Sequence, residues 1–341
     1  MKIKKRFIAL FLFISSVLAV YVGYAHVKNF GFQYQILKDD MTMSISKGQT
    51  AHSLLSVLQN ETQFDSILVA KLWLKLNPQY SQIKKGYYSF EKGESLEDIF
   101  TKISKGLVAQ FSVTLIEGLT LTQWLETLAS NEHLVNDIAD VDNLYDTIVV
   151  DENSFCANKY RSLEGCLLAN TYFFERETKA SDVIKRSFVE MKELLNDAWT
   201  KRFLDTHYQN PYELLIMASI IEKETAVPSE RGIIAGVFDN RLGKNMRLQT
   251  DPTVIYGIKD FDGNITRKHL REKTPYNTYV IRGLPITPIA MAGPDSIYAA
   301  AQPELTEAIY FVAKGDGTHH FSETLAEHNA AVRKYQLNKG K

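Results

Sequence analysis

Cysteine, net charge and nucleotide-binding motifs are all scarce in this 341-residue sequence. Its two cysteines, Cys156 and Cys166, stand in no Cys-x-x-Cys or Cys/His spacing, and His319, His320 and His328 lack a HExxH-type spacing. We therefore predict neither a metal nor another cofactor. The formal net charge of −1 creates no global field that would draw the chain to nucleic acid, so nucleic acid is not an expected partner. GxSxG, P-loop and dinucleotide fingerprints are also missing.

A long apolar run follows a basic N-terminus. The tail at residues 1–6 is rich in lysine, and the uncharged residues 7–25 would span about 28 Å as a helix, close to the ~30 Å hydrocarbon core. This pattern predicts a cytoplasmic tail, a transmembrane helix at 7–26 and an exported body. A cleaved signal peptide is the alternative, since Gly23-Tyr24-Ala25 resembles a cleavage site. The run is longer than the usual ~7–15-residue apolar region of a signal peptide, which favours a retained anchor.

Export would place the two cysteines in an oxidising compartment. There Cys156 and Cys166 can close a short disulfide loop worth up to a few kcal/mol. The disulfide and two free thiols are equally compatible with the sequence. Neither thiol is expected to act in catalysis.

A strand–glycine–cap–helix pattern recurs three times after the anchor, at residues 43–58, 88–100 and 112–125. Each copy has an alternating strand, a glycine that can take positive φ, a Ser or Thr N-cap and an amphipathic helix. The pattern is typical of small α+β modules, including the LysM type that binds glycan, although it is also a common packing unit. We assign residues 40–108 to a LysM-like module.

Residues 109–341 are predicted to form one further domain. Its residues 126–180 make a polar connection that holds both cysteines. Capping signals then predict a long helix from Ser181, as N-cap, to about Leu204, and a second helix with Asn210 as N-cap and Pro211 at its first position. Further helices are predicted at 229–242, where Gly243 stops the helix, and at about 325–335.

Residues 214–225 are strongly apolar and end in two carboxylates. Burial raises the pKa of a carboxylate, which keeps a proton available for acid catalysis near neutral pH. On a helix turning ~100° per residue, the buried stripe centres close to Ile221. Glu224 then lies at the edge of the stripe, Glu222 lies beyond the opposite edge, and Lys223 points to solvent. Glu224 is therefore the better candidate for a desolvated acid. Two solvated helix-end charges are the alternative.

The polar segment at residues 247–257 combines hydrogen-bonding side chains with an aromatic ring, as sugar-binding sites do. The candidate substrate-binding residues in this segment are Arg247, Gln249, Thr250, Asp251 and Tyr256. Asp251 is equally compatible with a role as helix N-cap, with proline at the next position. A loop with tight-turn signals at 275–285 adds the candidates Tyr276, Asn277 and Tyr279.

Several motifs together resemble one protein family. The motifs are Ala218-Ser219-Ile220-Ile221-Glu222-Lys223-Glu224-Thr225, the segment 247–257, Tyr276-Asn277-Thr278-Tyr279 with Gly283-Leu284-Pro285, and Tyr310-Phe311-Val312-Ala313. They resemble the endolytic murein transglycosylases of the MltG (YceG-like) family over nearly the full length. The resemblance implies an α+β fold with a single anchor, a LysM-like region and a mixed α/β catalytic domain with a lysozyme-like glutamate helix.

The resemblance also implies a catalytic residue and a reaction. The family's catalytic glutamate lies in the Glu222-Lys223-Glu224-Thr225 run. Because Glu224 with Thr225 resembles the Glu-Ser pair of other lytic transglycosylases, the role is carried to Glu224, with Glu222 as the fallback. The implied reaction is non-hydrolytic cleavage of the β-1,4 bond between N-acetylmuramic acid and N-acetylglucosamine within glycan strands, leaving 1,6-anhydro ends.

The expected partners follow from that reaction. They are peptidoglycan glycan strands, the inner membrane that holds the single-pass anchor, and the cell-wall synthases beside which nascent strands would be cut in the periplasm. Two alternatives stay open. One is a peptidoglycan hydrolase in which Glu222 or Asp251 supplies a second carboxylate. The other is a non-catalytic, membrane-tethered scaffold that binds peptidoglycan.

Overall fold

The structure, a computed structural model, describes residues 2–33, 37, 39–61, 64 and 66–337. Residue 1 of the predicted tail and residues 338–341 of the predicted second domain lie outside the described residues. The chain divides into two compact units. The first unit comprises Met1–Phe111 and Phe174–Arg176, and the second comprises Ser112–Phe173 and Glu177–Lys341. Helices and strands are mixed in both units, as an α+β fold requires.

The first unit is a small α+β module at the end of a long helix. Its elements in chain order are α1 (Lys2–Gln33), β1 (Met41–Ile45), α2 (Ala51–Glu61), α3 (Ile67–Leu76), β2 (Gly86–Phe90) and α4 (Leu96–Lys105). Strands β1 and β2 pair antiparallel, with Met41 opposite Phe90 and Ile45 opposite Gly86. The core between sheet and helices contains Trp73, which stacks on Tyr80 at 5.2 Å. The likeness to LysM stays a prediction.

Helix α1 is longer than the transmembrane helix predicted at 7–26. Within the described chain it is the one helix long and apolar enough to cross a membrane, over Lys4–Phe32. Its last turns belong to the module, because Phe30 is buried and a Cβ at Gly31 would lie 2.3 Å from the Trp73 ring. The apolar helix therefore runs into the folded core without a linker.

The three predicted strand–glycine–cap–helix copies are confirmed as local structures. The glycines Gly48, Gly93 and Gly118 all have φ between 76° and 93°. Helix α4 begins at Ser95 with a capping box, in which the Ser95 hydroxyl accepts from Asp98 N and the Asp98 carboxylate accepts from Ser95 N. Thr50 caps α2 in the same way, and Thr120 caps the helix of the third copy, Leu121–Ala129. Local hydrogen bonding within one turn determines these features.

The second unit surrounds one central helix. Its elements are β3 (Gln110–Leu115), α5 (Leu121–Ala129), β4 (Leu134–Val135), α6 (Val141–Ile148), β5 (Asn170–Glu175), β6 (Thr178–Lys179), α7 (Ala180–Lys201), α8 (Pro211–Glu224), α9 (Arg231–Gly243), α10 (Asp251–Tyr256), α11 (Pro294–Ala301), β7 (Tyr310–Ala313), β8 (His319–Ser322) and α12 (Leu325–Val332). Strand β3 pairs with β5, β4 with β6, and β7 with β8.

Helix α8 is buried on every side. Each residue from 214 to 221 is buried, and α7, α9, α10 and α11 pack around the helix. The sequence-based assumption of a single buried stripe was therefore wrong, because a helix that is apolar all round lies in the centre of its domain. The predicted start of α8 is confirmed: Asn210 accepts from Glu213 N at 3.0 Å, and Pro211 is the first helical residue.

Several predicted helix boundaries need correction. Helix α9 runs from Arg231 to Gly243 rather than from 229 to 242, so Gly243 is its last residue. Helix α7 begins after Lys179 rather than at Ser181, whose backbone N and hydroxyl bind Asp137 at 3.0 and 2.7 Å. It ends at Lys201, before Leu204. The N-cap of α10 is Thr250, and Asp251 is the first helical residue, so the interpretation of Asp251 as a cap was wrong.

Cys156 and Cys166 form a disulfide in the structure, with Cα atoms 6.1 Å apart. Both are fully buried in the connection predicted at 126–180. That segment is more regular than a polar connection, because it contains β4, α6, β5 and β6.

Candidate active site

Glu224 is the last residue of the central helix α8, and its side chain lies in a cleft of about 280 Å³. We call this space the Glu224 cleft. Its polar lining includes Glu224, Arg241, Gln249, Thr250, Asp251, Tyr279, His319 and His328, which come from α8, α9, α10 and its N-cap loop, the loop after α10, β8 and α12. A buried helix that ends at an open cleft thus presents one carboxyl to whatever the cleft binds.

The environment of Glu224 favours a held proton without preventing its release. Burial raises the pKa of the carboxyl, and the negative charge of Asp251 acts in the same direction. The Thr250 hydroxyl, which donates to Glu224 Oε1, and the charges of His319 and Arg241 act in the opposite direction, but the pKa stays raised on balance. Burial is thus the main cause of the raised pKa, and the role of Glu224 as the desolvated acid stays a prediction.

Arg241 is a buried cation at the same cleft. Its guanidinium donates to the carbonyl oxygens of Ile309 at 2.7 Å and Leu248 at 2.6 Å, and it lies 5.4 Å from the centre of the Tyr310 ring. No carboxylate of the described chain forms an ion pair with it. Arg241 therefore contributes to the lining of the cleft a positive charge that backbone carbonyls hold in place.

Glu222, the fallback residue, has a different environment. Its side chain is only 5% exposed and pairs with Arg231 at 3.4 Å. The same carboxylate accepts hydrogen bonds from Gly293 N at 3.0 Å and Ser296 Oγ at 2.7 Å. The prediction that Glu222 lies outside the buried surface was wrong, because α11 covers that side of α8. Lys223 is exposed as predicted and donates to Gly118 O at 2.9 Å.

Four of the predicted substrate-binding residues lie together in the Glu224 cleft. They are Gln249, Thr250, Asp251 and Tyr279. The Tyr279 hydroxyl donates to Asp251 Oδ1 at 2.7 Å, which joins the two predicted segments directly. Gln249 has φ of 52°, the left-handed region, and its backbone N donates to Thr278 O at 3.2 Å. This turn directs Thr250 towards Glu224.

The other four predicted substrate-binding residues do not line the cleft. Arg247 is exposed to solvent. Asn277 is buried and donates to the carbonyl oxygens of His269 and Glu272, which closes the loop that carries Tyr279. Tyr256 and Tyr276 are the remaining two of the four, and the centres of their rings, packed edge to face, are 4.9 Å apart.

The hydroxyl groups of those two tyrosines have partners inside the protein. Tyr256 donates to Glu164 Oε2 at 3.1 Å, and Tyr276 bonds Thr287 at 2.9 Å. Glu164 is itself a buried carboxyl, 4% exposed. These residues hold the loops behind the cleft rather than facing it.

Sequence reasoning did not identify Arg241, Phe311, His319 or His328 as cleft residues. Two predicted features contain residues of this set: the helix at 229–242 and the Tyr310-Phe311-Val312-Ala313 motif. The two histidines were considered only as metal ligands. Among the described residues, no group of three or more His, Cys, Asp or Glu side chains could hold a metal ion.

A sequence model of the YceG-like family matches residues 43–334. The chain belongs to the YceG-like family. This finding confirms the resemblance drawn from the sequence motifs, and the match includes every residue of the Glu224 cleft discussed above.

Two curated relatives of this YceG-like protein carry the name endolytic murein transglycosylase. The protein of Bacillus subtilis strain 168 is 33% identical over 316 residues, covering 89% of this chain and 86% of the relative. The protein of Streptococcus pneumoniae serotype 2 is 25% identical over 351 residues, covering 91% of this chain but only 62% of the relative.

A solved structure is also similar. The crystal structure at 2.6 Å of a YceG-like protein from Listeria monocytogenes superposes with a TM-score of 0.55 at 29% sequence identity. The match covers 86% of this chain and 99% of that chain. The mixed α and β architecture is thus shared with a solved member of the family.

Proposed function

We propose that this protein is a lytic transglycosylase that cleaves the β-1,4 bond between N-acetylmuramic acid and N-acetylglucosamine in peptidoglycan. The observation that carries the proposal is the buried carboxyl of Glu224, bonded to Thr250 in a polar cleft. The names of the two curated relatives support the same reaction class. Cleavage within strands, rather than from their ends, is supported by those names alone.

The first step needs a proton on Glu224. Because burial raises the pKa of this carboxyl, Glu224 keeps its proton to a higher pH than an exposed glutamate does. Glu224 donates this proton to the glycosidic oxygen as the bond from that oxygen to C1 of the muramoyl sugar breaks. The leaving sugar then departs with a hydroxyl group.

The second step needs the same group as a base. The Thr250 hydroxyl and the charges of His319 and Arg241 stabilise the carboxylate that remains on Glu224. This carboxylate takes the proton of the muramoyl C6 hydroxyl, whose oxygen attacks C1 and closes the 1,6-anhydro ring. The proton gained by Glu224 restores the starting state, so one carboxyl serves as acid and then as base.

Asp251 supports hydrolysis as the alternative reaction. It lies in the same cleft as Glu224 and is exposed, as a carboxylate that activates water would be. A hydrolase uses two carboxyl groups, and water would then leave a reducing end instead of an anhydro end. A scaffold that only binds peptidoglycan would release no product.

The experiment is a digest of purified peptidoglycan by the full-length protein in detergent, with the products analysed by mass. We expect anhydro-muramoyl ends from the wild type and a loss of at least about 10²-fold in rate for Glu224→Gln. Reducing ends would identify a hydrolase. Absence of products would favour the non-catalytic scaffold that only binds peptidoglycan.

Glu222→Gln is the matched control in this digest. The substitution removes the charge that pairs with Arg231, so we expect a less stable protein, by roughly 3 kcal/mol, that keeps its activity per folded molecule. Activity is therefore normalised to the folded fraction. A folded but inactive Glu222→Gln beside an active Glu224→Gln would refute the assignment and transfer the role to Glu222.

We further propose how the chain is arranged at the cell envelope. The apolar helix α1 anchors the protein in the inner membrane, with the basic tail in the cytoplasm and residues 109–341, the catalytic domain, in the periplasm. Residues 40–108, as a LysM-like module, would contact glycan. In this position the enzyme can cut nascent strands beside cell-wall synthases, which ends their elongation. A cysteine introduced at exposed Glu152 would be labelled by a membrane-impermeant reagent if the catalytic domain is outside the inner membrane.

A further inference from the structure

Glu230 and His319 form a clamped pair beside the cleft. Glu230 Oε1 accepts from His319 N at 2.8 Å, and Glu230 Oε2 bonds His319 Nδ1 at 2.8 Å. Both side chains are only 12% exposed. Two bonds to one carboxylate hold both the backbone and the ring of His319, so the imidazole has one orientation.

These two hydrogen bonds determine which ring nitrogen of His319 is available to a ligand. Because a carboxylate accepts, Nδ1 carries its proton towards Glu230, and Nε2 is the remaining nitrogen. The ring also packs edge to face on Phe311 at 5.4 Å. In the part of the chain that the structure describes, no protein group bonds Nε2, and His319 lines the Glu224 cleft.

Burial, hydrogen bonds and nearby charges act on Glu230 in opposite directions. Burial alone would raise the pKa of the Glu230 carboxyl, but the two bonds and the charge of His319, together with Lys314, lower it on balance. Glu230 is thus an ionised acceptor for His319 across the neutral range. The other charged or titratable groups that face the cleft are Glu224, Asp251, Arg241, Tyr279 and His328.

We propose that His319 contacts the substrate in the reaction proposed above, donating from Nε2 to an oxygen of the sugar at the scissile bond, with Glu230 as its positioning residue. The proposal rests on the proposed function. When Glu224 gives up its proton, the same imidazole lies beside the new carboxylate and stabilises it. The imidazole itself neither forms nor breaks a covalent bond.

His320 offers a matched control for His319. The two residues are neighbours on β8, and successive side chains of a strand point to opposite faces. His320 does not line the Glu224 cleft, and its ring lies 5.6 Å from that of Tyr335. His319→Gln and His320→Gln therefore make the same chemical change on opposite faces of the same strand.

The experiment measures kcat and KM for anhydro-end formation across pH with the full-length protein. We expect His319→Gln to lower kcat/KM by about 10- to 100-fold, the range for one charge-assisted hydrogen bond to the transition state. Activity requires protonated Glu224 and falls as pH rises through its pKa. Since the charge of His319 lowers the pKa of Glu224, its loss should move this fall to higher pH. His320→Gln should change neither quantity.

Glu230→Gln tests the positioning role. The glutamine amide has one acceptor oxygen, so it can accept only one of the two hydrogen bonds that His319 makes to Glu230, and we expect a smaller loss than for His319→Gln. The double variant should be no slower than His319→Gln, because Glu230 acts through His319. Additive losses would refute the positioning role of Glu230.

Failure of the inference can be distinguished from failure of the proposed function. A wild type without anhydro products refutes the proposed function. Anhydro products with a His319→Gln variant that matches His320→Gln in kcat/KM and pH profile refute the inference alone. If His319→Gln does not fold, imidazole nitrogen NMR of Glu224→Gln with uncrosslinked glycan strands decides: the His319 Nε2 signal should shift, and an unchanged signal overturns the inference.

Discussion

Glu164 is a buried carboxyl outside the Glu224 cleft, and we predict how its replacement changes the pH dependence of the free energy of unfolding. Its side chain accepts from Leu121 N at 3.0 and 3.2 Å and from Tyr256 Oη at 3.1 Å. Leu121 is the first residue of α5, so the carboxyl caps the N-terminus of that helix. Burial nevertheless dominates and raises the pKa of Glu164 from 4.5 to about 7.

This shift makes folding depend on pH. With a folded pKa of about 7 and an ordinary value of 4.5, the folded state binds a proton that the unfolded state has lost. The stabilisation is fully present below pH 4.5 and is lost as pH rises through about 7. The folded and unfolded pKa values differ by roughly 2.5 units. At about 1.36 kcal/mol for each pKa unit, this difference changes the free energy of unfolding by about 3 kcal/mol.

Glu164→Gln removes this proton linkage while it keeps an acceptor for Leu121 N. We therefore expect the free energy of unfolding of the variant, relative to the wild type, to rise by about 3 kcal/mol between about pH 4.5 and pH 8. The assay is denaturant unfolding of both full-length proteins over that range. Glu152→Gln, at an exposed glutamate, is the control and should follow the wild type. Parallel curves for Glu164→Gln and the wild type would refute the reasoning.

Two further predictions concern a hydroxyl and a glycine. Thr250→Val removes the hydroxyl that stabilises ionised Glu224 and lowers its pKa, so the fall of activity at high pH should move to higher pH; an unchanged pH profile in the peptidoglycan digest would contradict this role. Gly236→Ala should cost about 1–3 kcal/mol in thermal or denaturant unfolding, because the new Cβ would lie 2.2 Å from the Glu304 carbonyl oxygen. Gly232→Ala is its control, since that Cβ would meet its nearest neighbour at 3.5 Å, and a helical alanine there should be neutral or stabilising by up to about 1 kcal/mol. Equal effects of the two alanines would contradict the packing argument.

Features that depend on a few neighbouring residues could be predicted from the sequence. The caps at Ser95, Thr120 and Asn210 are examples, because the donor, the acceptor and the turn between them all lie within one short segment. The apolar helix α1 is another, because length and composition alone define it. The motifs at 218–225 and 247–257 were sufficient to indicate the family, since they concern residue identity rather than position in space.

The partners of the two glutamates were decided only by the tertiary structure. Helical periodicity ranked Glu224 as the desolvated acid, but the assumption of one buried face was wrong. Because α11 covers α8, Glu222 is also buried and is held by Arg231 and Ser296. Periodicity along one helix contains no information on which element packs against each face.

The same reason explains why the predicted cleft residues and those that line the cleft in the structure are not the same set. Tyr276 and Asn277 have the chemistry of sugar-binding groups, yet the fold uses them to hold loops. Arg241 and His319 enter the cleft from α9 and β8, far from Glu224 along the chain. The sequence by itself determined the local turns, the membrane-length helix and the family. Packing of distant elements around α8 determined which charges surround Glu224, because those charges act through space and not along the chain.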